Sequence, residues 1–344
     1  MYFSQLLLYI IQKFNGERSF TAPYYLLKGK KSGQTMQDVT YFQLHSFFAI
    51  YSNIKKEEYD LLIFALQAEG LVEIKEGIPF LTEKGKERIK DFQAPAFDGW
   101  RLRGNELLFW RRLELVVQTI SHFHEGESKF IPNQKDIAVQ QFVRNYLRGK
   151  EYQAHSFAEG LKAQLFHLLE ASPLSEEQRT LFVYRLSGYQ TSGLTWDQLA
   201  SEYNSSVHDV KLQFIEVLHV LLRFLNKQDH PDIYPLTDGI FIKSPLTDSA
   251  YRTSLLLEKG YTLEQVAAAR NLKVNTIEDH LIEIASANPS FSVEDYISYE
   301  QMSRVWEISN SLHTKKLRLI KEQLPELSYF MIRLALSKGG QADG

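Results

Sequence analysis

The 344-residue chain contains no cysteine. That excludes a disulfide framework and any cysteine-ligated zinc finger, and it suits a reducing, cytoplasmic setting. Long apolar runs are also missing. The opening MYFSQLLLYIIQKF is short, lacks a basic leader and carries Gln5, Gln12 and Lys13 on helical faces. It reads as a core helix, so neither a signal segment nor a membrane contact is expected. A formal charge of -3 gives no global attraction to a polyanion, so any nucleic-acid contact has to come from local patches.

The motifs of catalysis are equally scarce. LKGKKSGQT (27–35) lacks the glycine, lysine and hydroxyl order that wraps a nucleotide phosphate. In HFHE (122–125) the two imidazoles fall nearly opposite one another on a helix, which argues against a metal. No nucleophile with a matching base and no dinucleotide fingerprint appears. Catalysis, cofactors and metals are therefore not expected.

What remains is a chain of several small cores, since a single core rarely exceeds about 250 to 300 residues. Apolar residues recur at spacings of three and four almost throughout, predicting a mainly α fold. The exception is EEYDLLIFALQAEGLVEIKEGIPFLTEKGKERI: a helix ending near Gly70, short runs at 72–74 and 78–81, and a turn at Glu76-Gly77. A helix followed by a two-stranded flap outlines a winged helix. Breaks at DFQAPAFDG, EASPLSEEQ and NKQDHPDIYPLTDG then divide the chain. The reading is a winged-helix-like region (1–95) with a short β-hairpin, a helical middle (96–172), a first helix-turn-helix unit (173–240) and a second one (244–340).

The two units rest on an internal repeat. TWDQLASEYNSSVHDV (195–210) aligns without gaps to TLEQVAAARNLKVNTI (262–277), sharing Thr195/Thr262, Gln198/Gln265, Ala200/Ala267, Asn204/Asn271 and Val207/Val274. Threonine with glutamine three residues later is a capping box. Alanine lets two helices approach closely, and asparagine tolerates the left-handed backbone that ends the first helix.

The second helix of each unit is an unusual reader. With Ile277, Leu281 and Ile284 inward, the outward face becomes Asn275, Asp279, Ile282 and Ser286, flanked by Glu278 and Glu283. A carboxylate about 4 Å from a phosphate costs on the order of 1 kcal/mol even in water. Asn275, Glu278, Asp279, Ile282 and Glu283 are therefore expected to bind a protein with a basic patch, Ile282 forming the apolar centre. In the earlier unit His208, Leu212, Ile215 and His219 point outward, a face apolar enough to be covered by protein.

The segment SAYRTSLLLEKGYTLEQVAAARNLKVNTIEDHLIEIA, followed by KKLRLIKEQLPELSYFMIRLALSK, resembles the helicase-associated helix-turn-helix domain at the C-terminus of some bacterial RecQ-type DNA helicases. The matching positions are Thr253, Leu256, Gly260, 264–270, Leu272-Lys273 and 276–281. The whole chain also resembles stand-alone bacterial proteins that carry this domain without helicase motors. The resemblance implies a DNA-transaction context with a RecQ-type DNA helicase as partner.

Direct DNA contact is expected from the N-terminal half. Ser32 is placed to cap a helix of a third possible helix-turn-helix, whose N-terminal turn carries Lys28, Lys30, Lys31 and Gln34. The alternative is a solvated lysine turn. GWRLRGNELLFWRRLELVVQ interleaves Trp100 and Trp110 with Arg101, Arg103, Arg111 and Arg112. These either clamp a single strand by ion pairing and stacking, or form a core with the arginines paired to Glu106 and Glu114. Arg144, Arg148 and Lys150 extend the same basic surface. The leading expectation is a non-catalytic adaptor of a RecQ-type helicase in replication, recombination or repair. The alternatives are a transcription regulator using the winged region and a protein-only scaffold.

Overall fold

The computed structural model describes residues 2–244, 246–288 and 290–339. Among them the fold is mainly helical with one two-stranded sheet. The N-terminal segment holds α1 (Tyr2–Phe14), α2 (Ala22–Lys28), α3 (Gly33–Tyr41), α4 (Lys56–Ala68), β1 (Val72–Lys75), β2 (Ile78–Leu81) and α5 (Glu83–Arg88). There follow α6 (Gly99–Leu102), α7 (Glu106–His124), α8 (Ile137–Arg148), α9 (His155–Ala171), α10 (Glu176–Tyr184), α11 (Trp196–Glu202) and α12 (Val207–Phe224). The last part comprises α13 (Asp248–Leu257), α14 (Leu263–Arg270), α15 (Val274–Ala287), α16 (Tyr299–Ser311), α17 (Leu317–Gln323) and α18 (Tyr329–Gly339).

These elements form two compact units whose membership does not follow chain order. The first unit takes residues up to 6, 50–52 and 93–242; the second takes 7–49, 53–92 and everything from 243. The helical middle and the first helix-turn-helix thus share one core, in which Trp110 meets Phe182 and Phe214 edge to face at 5.2 and 4.8 Å. The N-terminal segment shares its unit with the C-terminal domain. There α3 packs on α15 and α18, Tyr41 donates to the Arg333 carbonyl at 3.0 Å, and Glu17 accepts the Lys315 amide at 2.8 Å.

In the second unit α4 runs into the β-hairpin, which pairs antiparallel from Val72↔Leu81 to Lys75↔Ile78. Glu76 and Gly77 both take positive φ (50° and 77°), the backbone that lets a two-residue turn follow the twist of its strands.

The repeated stretches adopt one local geometry. Thr195 and Thr262 each close a capping box, accepting from the amides of Gln198 and Gln265. Asn204 and Asn271 both turn left-handed (φ 46° and 52°), and the next residue's amide reaches back to the buried alanine: Ser205 to Ala200 at 2.8 Å, Leu272 to Ala267 at 2.9 Å. Leu199 and Val210 are buried in one unit as Val266 and Ile277 are in the other. Because each threonine satisfies an otherwise orphaned helix amide, Thr195→Ala and Thr262→Ala should each lower urea-unfolding stability by about 1 kcal/mol. Unchanged midpoints would show that the caps contribute nothing.

Candidate nucleic-acid interface

The second helices of the two frames lie under protein, and each is covered differently. In the first unit, Leu212, Ile215 and His219 of α12 are all buried. His208 bonds through Nδ1 to the Tyr51 hydroxyl at 2.7 Å. The cover over the later turns is the 96–98 segment, held by residues 216, 219 and 223 along one stripe of α12. Glu216 accepts the Ala96 amide (2.9 Å) and the Tyr2 hydroxyl (2.6 Å), His219 Nδ1 accepts the Asp98 amide (2.7 Å), and Arg223 donates to the Ala96 carbonyl (3.2 Å). Since Nδ1 is an acceptor, the neutral ring carries its proton on Nε2, which faces the buried Glu106 carboxylate at 3.4 Å.

In the second unit α15 is buried on two sides, because α3 and α18 pack against it in addition to α13 and α14. This corrects the expected partner face. Ile282 is 1% exposed and cannot be the centre of an open patch. Asp279 is ion-paired with Arg333, which also donates to the Gln37 amide oxygen when that amide is turned toward it. Glu283 accepts from the Thr247 amide and, at 3.1 Å, from its hydroxyl at the start of α13. Glu278 is half-buried, and desolvation raises its carboxyl above the usual range while Arg333 opposes the shift. Ile282 is therefore turned into the fold, while the three carboxylates stay half-buried, two of them with partners inside the unit. A helical wheel drawn from α15 alone has no signal for a second layer supplied by residues 33–41 and 329–339.

What stays open is the leading edge of α15. Asn271, Lys273, Val274 and Asn275 are exposed, and Lys273 has no ion pair among the described residues. The sequence reading named Lys273 only as a position of the resemblance and gave it no contact role; its place at the helix start beside Asn275 is the signal that was available. This edge lies one turn before Asp279, and a Cβ on Gly33 would stand 3.7 Å from the Asp279 carboxyl. The start of α3 is thereby brought alongside α15.

The lysine turn precedes that start. It is a helix-turn-helix in outline: α2 ends at Gly29 in the left-handed region (φ 74°), and Ser32 caps α3. Lys28, Lys30, Lys31 and Gln34 are exposed. Lys28 reaches the Ile54 carbonyl at 3.3 Å, and the Lys30 ammonium sits 3.9 Å from the centre of the Tyr25 ring. Lys30 and Gln34 border a cavity of about 130 Å³ together with Arg18, Ser32 and Asp38.

The Trp/Arg cluster splits. Trp110 (4% exposed) is core, so it cannot stack on a base. Arg112 (9% exposed) donates to the carbonyls of Leu236 and Asp238 at 2.9 and 2.6 Å and lies over Phe142, so it is not a phosphate contact. α7 is buried on nearly every side over 109–116, so both are drawn inward although they lie on different faces of the helix. Arg111 stays half-exposed, 4.0 Å from Asp136. Trp100 carries Arg103 over its ring at 4.5 Å, and Arg101 pairs with Asp98 at 3.1 Å. Lys150 is held by Asp232 at 2.6 Å. No arginine pairs with Glu106 or Glu114 among the described residues. No helix there is long and apolar enough to cross a membrane.

Residues 249–336 match a family model described as a helix-turn-helix domain. The match suggests DNA binding by this part of the chain. Over 98% of the chain and 97% of its own length, Protein YpbB of Bacillus subtilis (strain 168) is 29% identical. No solved structure matches the chain.

One group in this region titrates in an accessible range. Burial pushes the Asp38 carboxyl up from 3.8 to about 6, and the Arg18 guanidinium 2.7 Å away offsets only part of that. The folded state then holds the proton more tightly than the unfolded chain between these values. Stability from this site is greatest below pH 4 and falls as pH rises toward 6. In urea titrations from pH 4 to 7, the stability of wild type relative to Asp38→Asn should decline with pH and level off above about 6. A pH-independent difference, or one of opposite slope, would contradict the assignment.

Proposed function

We propose that the chain is a non-catalytic, DNA-binding adaptor that works beside a RecQ-type DNA helicase in replication, recombination or repair. The observation that carries the DNA part is the internal use of the acidic face of α15. With Asp279 ion-paired to Arg333 and Glu283 hydrogen-bonded at Thr247, two of the three carboxylates that would repel phosphates are engaged inside the second unit, and one of them has its charge neutralised. The exposed leading edge of α15 and the lysine turn before α3 are left as neighbouring surfaces of one unit.

The chemistry suits phosphate contact with modest base reading. The first residues of a helix-turn-helix reader are those that reach base edges, and Asn275 is an amide able to pair with adenine. Lys273, Lys30 and Lys31 supply point charges, and the N-termini of α3 and α15 add amide donors. The helicase part is supported by the resemblance of 249–285 and 315–338 to the domain carried by RecQ-type helicases. In this reading the motor supplies the ATP chemistry and this chain supplies contacts.

The test is fluorescence anisotropy of single-stranded, duplex and forked DNA with the full chain at several salt concentrations. Lys30→Glu/Lys31→Glu and Lys273→Glu/Asn275→Ala should each weaken binding about tenfold or more and flatten the salt dependence, each lost lysine contact reducing the slope by about 1. Binding that survives both pairs but is abolished by Arg101→Glu/Arg103→Glu would place the DNA elsewhere. Capture of a RecQ-type helicase by the tagged chain should persist after nuclease treatment; loss of capture with DNA removed would refute the adaptor role.

A further inference from the structure

The first unit carries a groove of about 440 Å³ between α7, α8 and the loop that joins them. Its floor is aliphatic, formed by Leu115, Val143, Leu147 and Pro132. Along its rim run Arg144 and Arg148, one helical turn apart on α8 and therefore on the same face. Both are exposed, and neither has a hydrogen bond or an ion pair among the described residues. The contrast with the neighbouring cations is sharp, since Arg112 and Lys150 are both engaged with protein oxygens.

The geometry points to this groove as the binding site for an acidic peptide segment of a partner protein, with a bulky apolar side chain seated on the floor and carboxylates held by Arg144 and Arg148. Guanidinium groups pair with carboxylates in a forked, two-bond geometry that fixes direction as well as charge. An aliphatic floor accepts an apolar side chain because both lose contact with water.

The same features disfavour a nucleic-acid strand. Strand-binding grooves combine positive charge with open aromatic faces on which bases stack. The two rings bordering this groove are already in use: Phe130 is stacked on His122 at 4.5 Å, and Tyr152 meets Phe123 edge to face at 5.2 Å. The apolar part of the groove therefore fits a side chain better than a base.

The probe is a fluorescein-labelled hexapeptide of aspartate and glutamate with one phenylalanine, titrated with the full chain. A matched peptide with serine in place of phenylalanine and a twelve-residue oligothymidine serve as controls. Affinity for the phenylalanine peptide should fall at least tenfold in Arg144→Glu/Arg148→Glu, and the serine peptide should bind at least tenfold more weakly to wild type. Because both arginines are exposed and without partners, circular dichroism should show the variant folded. Thr119→Arg, which places a long side chain into the groove without removing either guanidinium, should weaken the phenylalanine peptide as well. Equal binding of the peptide by wild type and both variants, or no binding at all, overturns the proposal. So does oligothymidine binding that is lost in the arginine variant while the peptide does not bind, which would make the groove a nucleic-acid track.

Discussion

The pairing of Asp279 with Arg333 fixes what the C-terminal helix-turn-helix can offer to a ligand. It joins α15 to α18, and with α3 packed on the same helix it covers Ile282 and leaves the three carboxylates of that face half-buried. An exposed ion pair contributes little to stability. This one, between a mostly covered Arg333 and an Asp279 side chain that is 45% exposed, acts chiefly by settling charge and register where two packed helices meet. Its consequence is electrostatic: one of the three acidic charges on α15 is neutralised within the unit.

The two frames show one local device put to different uses. Capping threonine, close-packed alanine and left-handed asparagine recur in the same register, since each solves a problem of helix termination and approach that does not depend on the ligand. What differs is the cover. In the first unit, Glu216, His219 and Arg223 of α12 bind backbone groups of 96–98, and the frame becomes a packing element. In the second unit the cover stops short of the first turn of α15, so Lys273 and Asn275 remain accessible.

Local order was legible in the sequence wherever neighbouring residues decide it. The capping boxes, the turn at Glu76-Gly77, the Ser32 cap and the mainly helical class all follow from short-range rules. Trp110 and Arg112 were ambiguous because the spacing that clamps a strand also fills a helical core. The face of α15 was misread for a different reason. Its second layer comes from residues 33–41 and 329–339, and no periodicity within 274–287 records which distant segment will pack there. Lys273 stands out as a contact only in the structure, because the sequence shows Glu278 and Asp279 following it without the Arg333 that pairs with Asp279.

The absence of cysteine makes the central claim directly measurable, because any thiol introduced is the only one in the chain. Single-cysteine variants Asn275→Cys and Ile282→Cys can be labelled with a maleimide under native conditions and followed by mass spectrometry. The account predicts rapid labelling at 275 and strong protection at 282, relieved only by denaturant. Labelling at 282 as fast as at 275 in a folded protein would mean that the acidic face of α15 is open to solvent, and the account would be wrong.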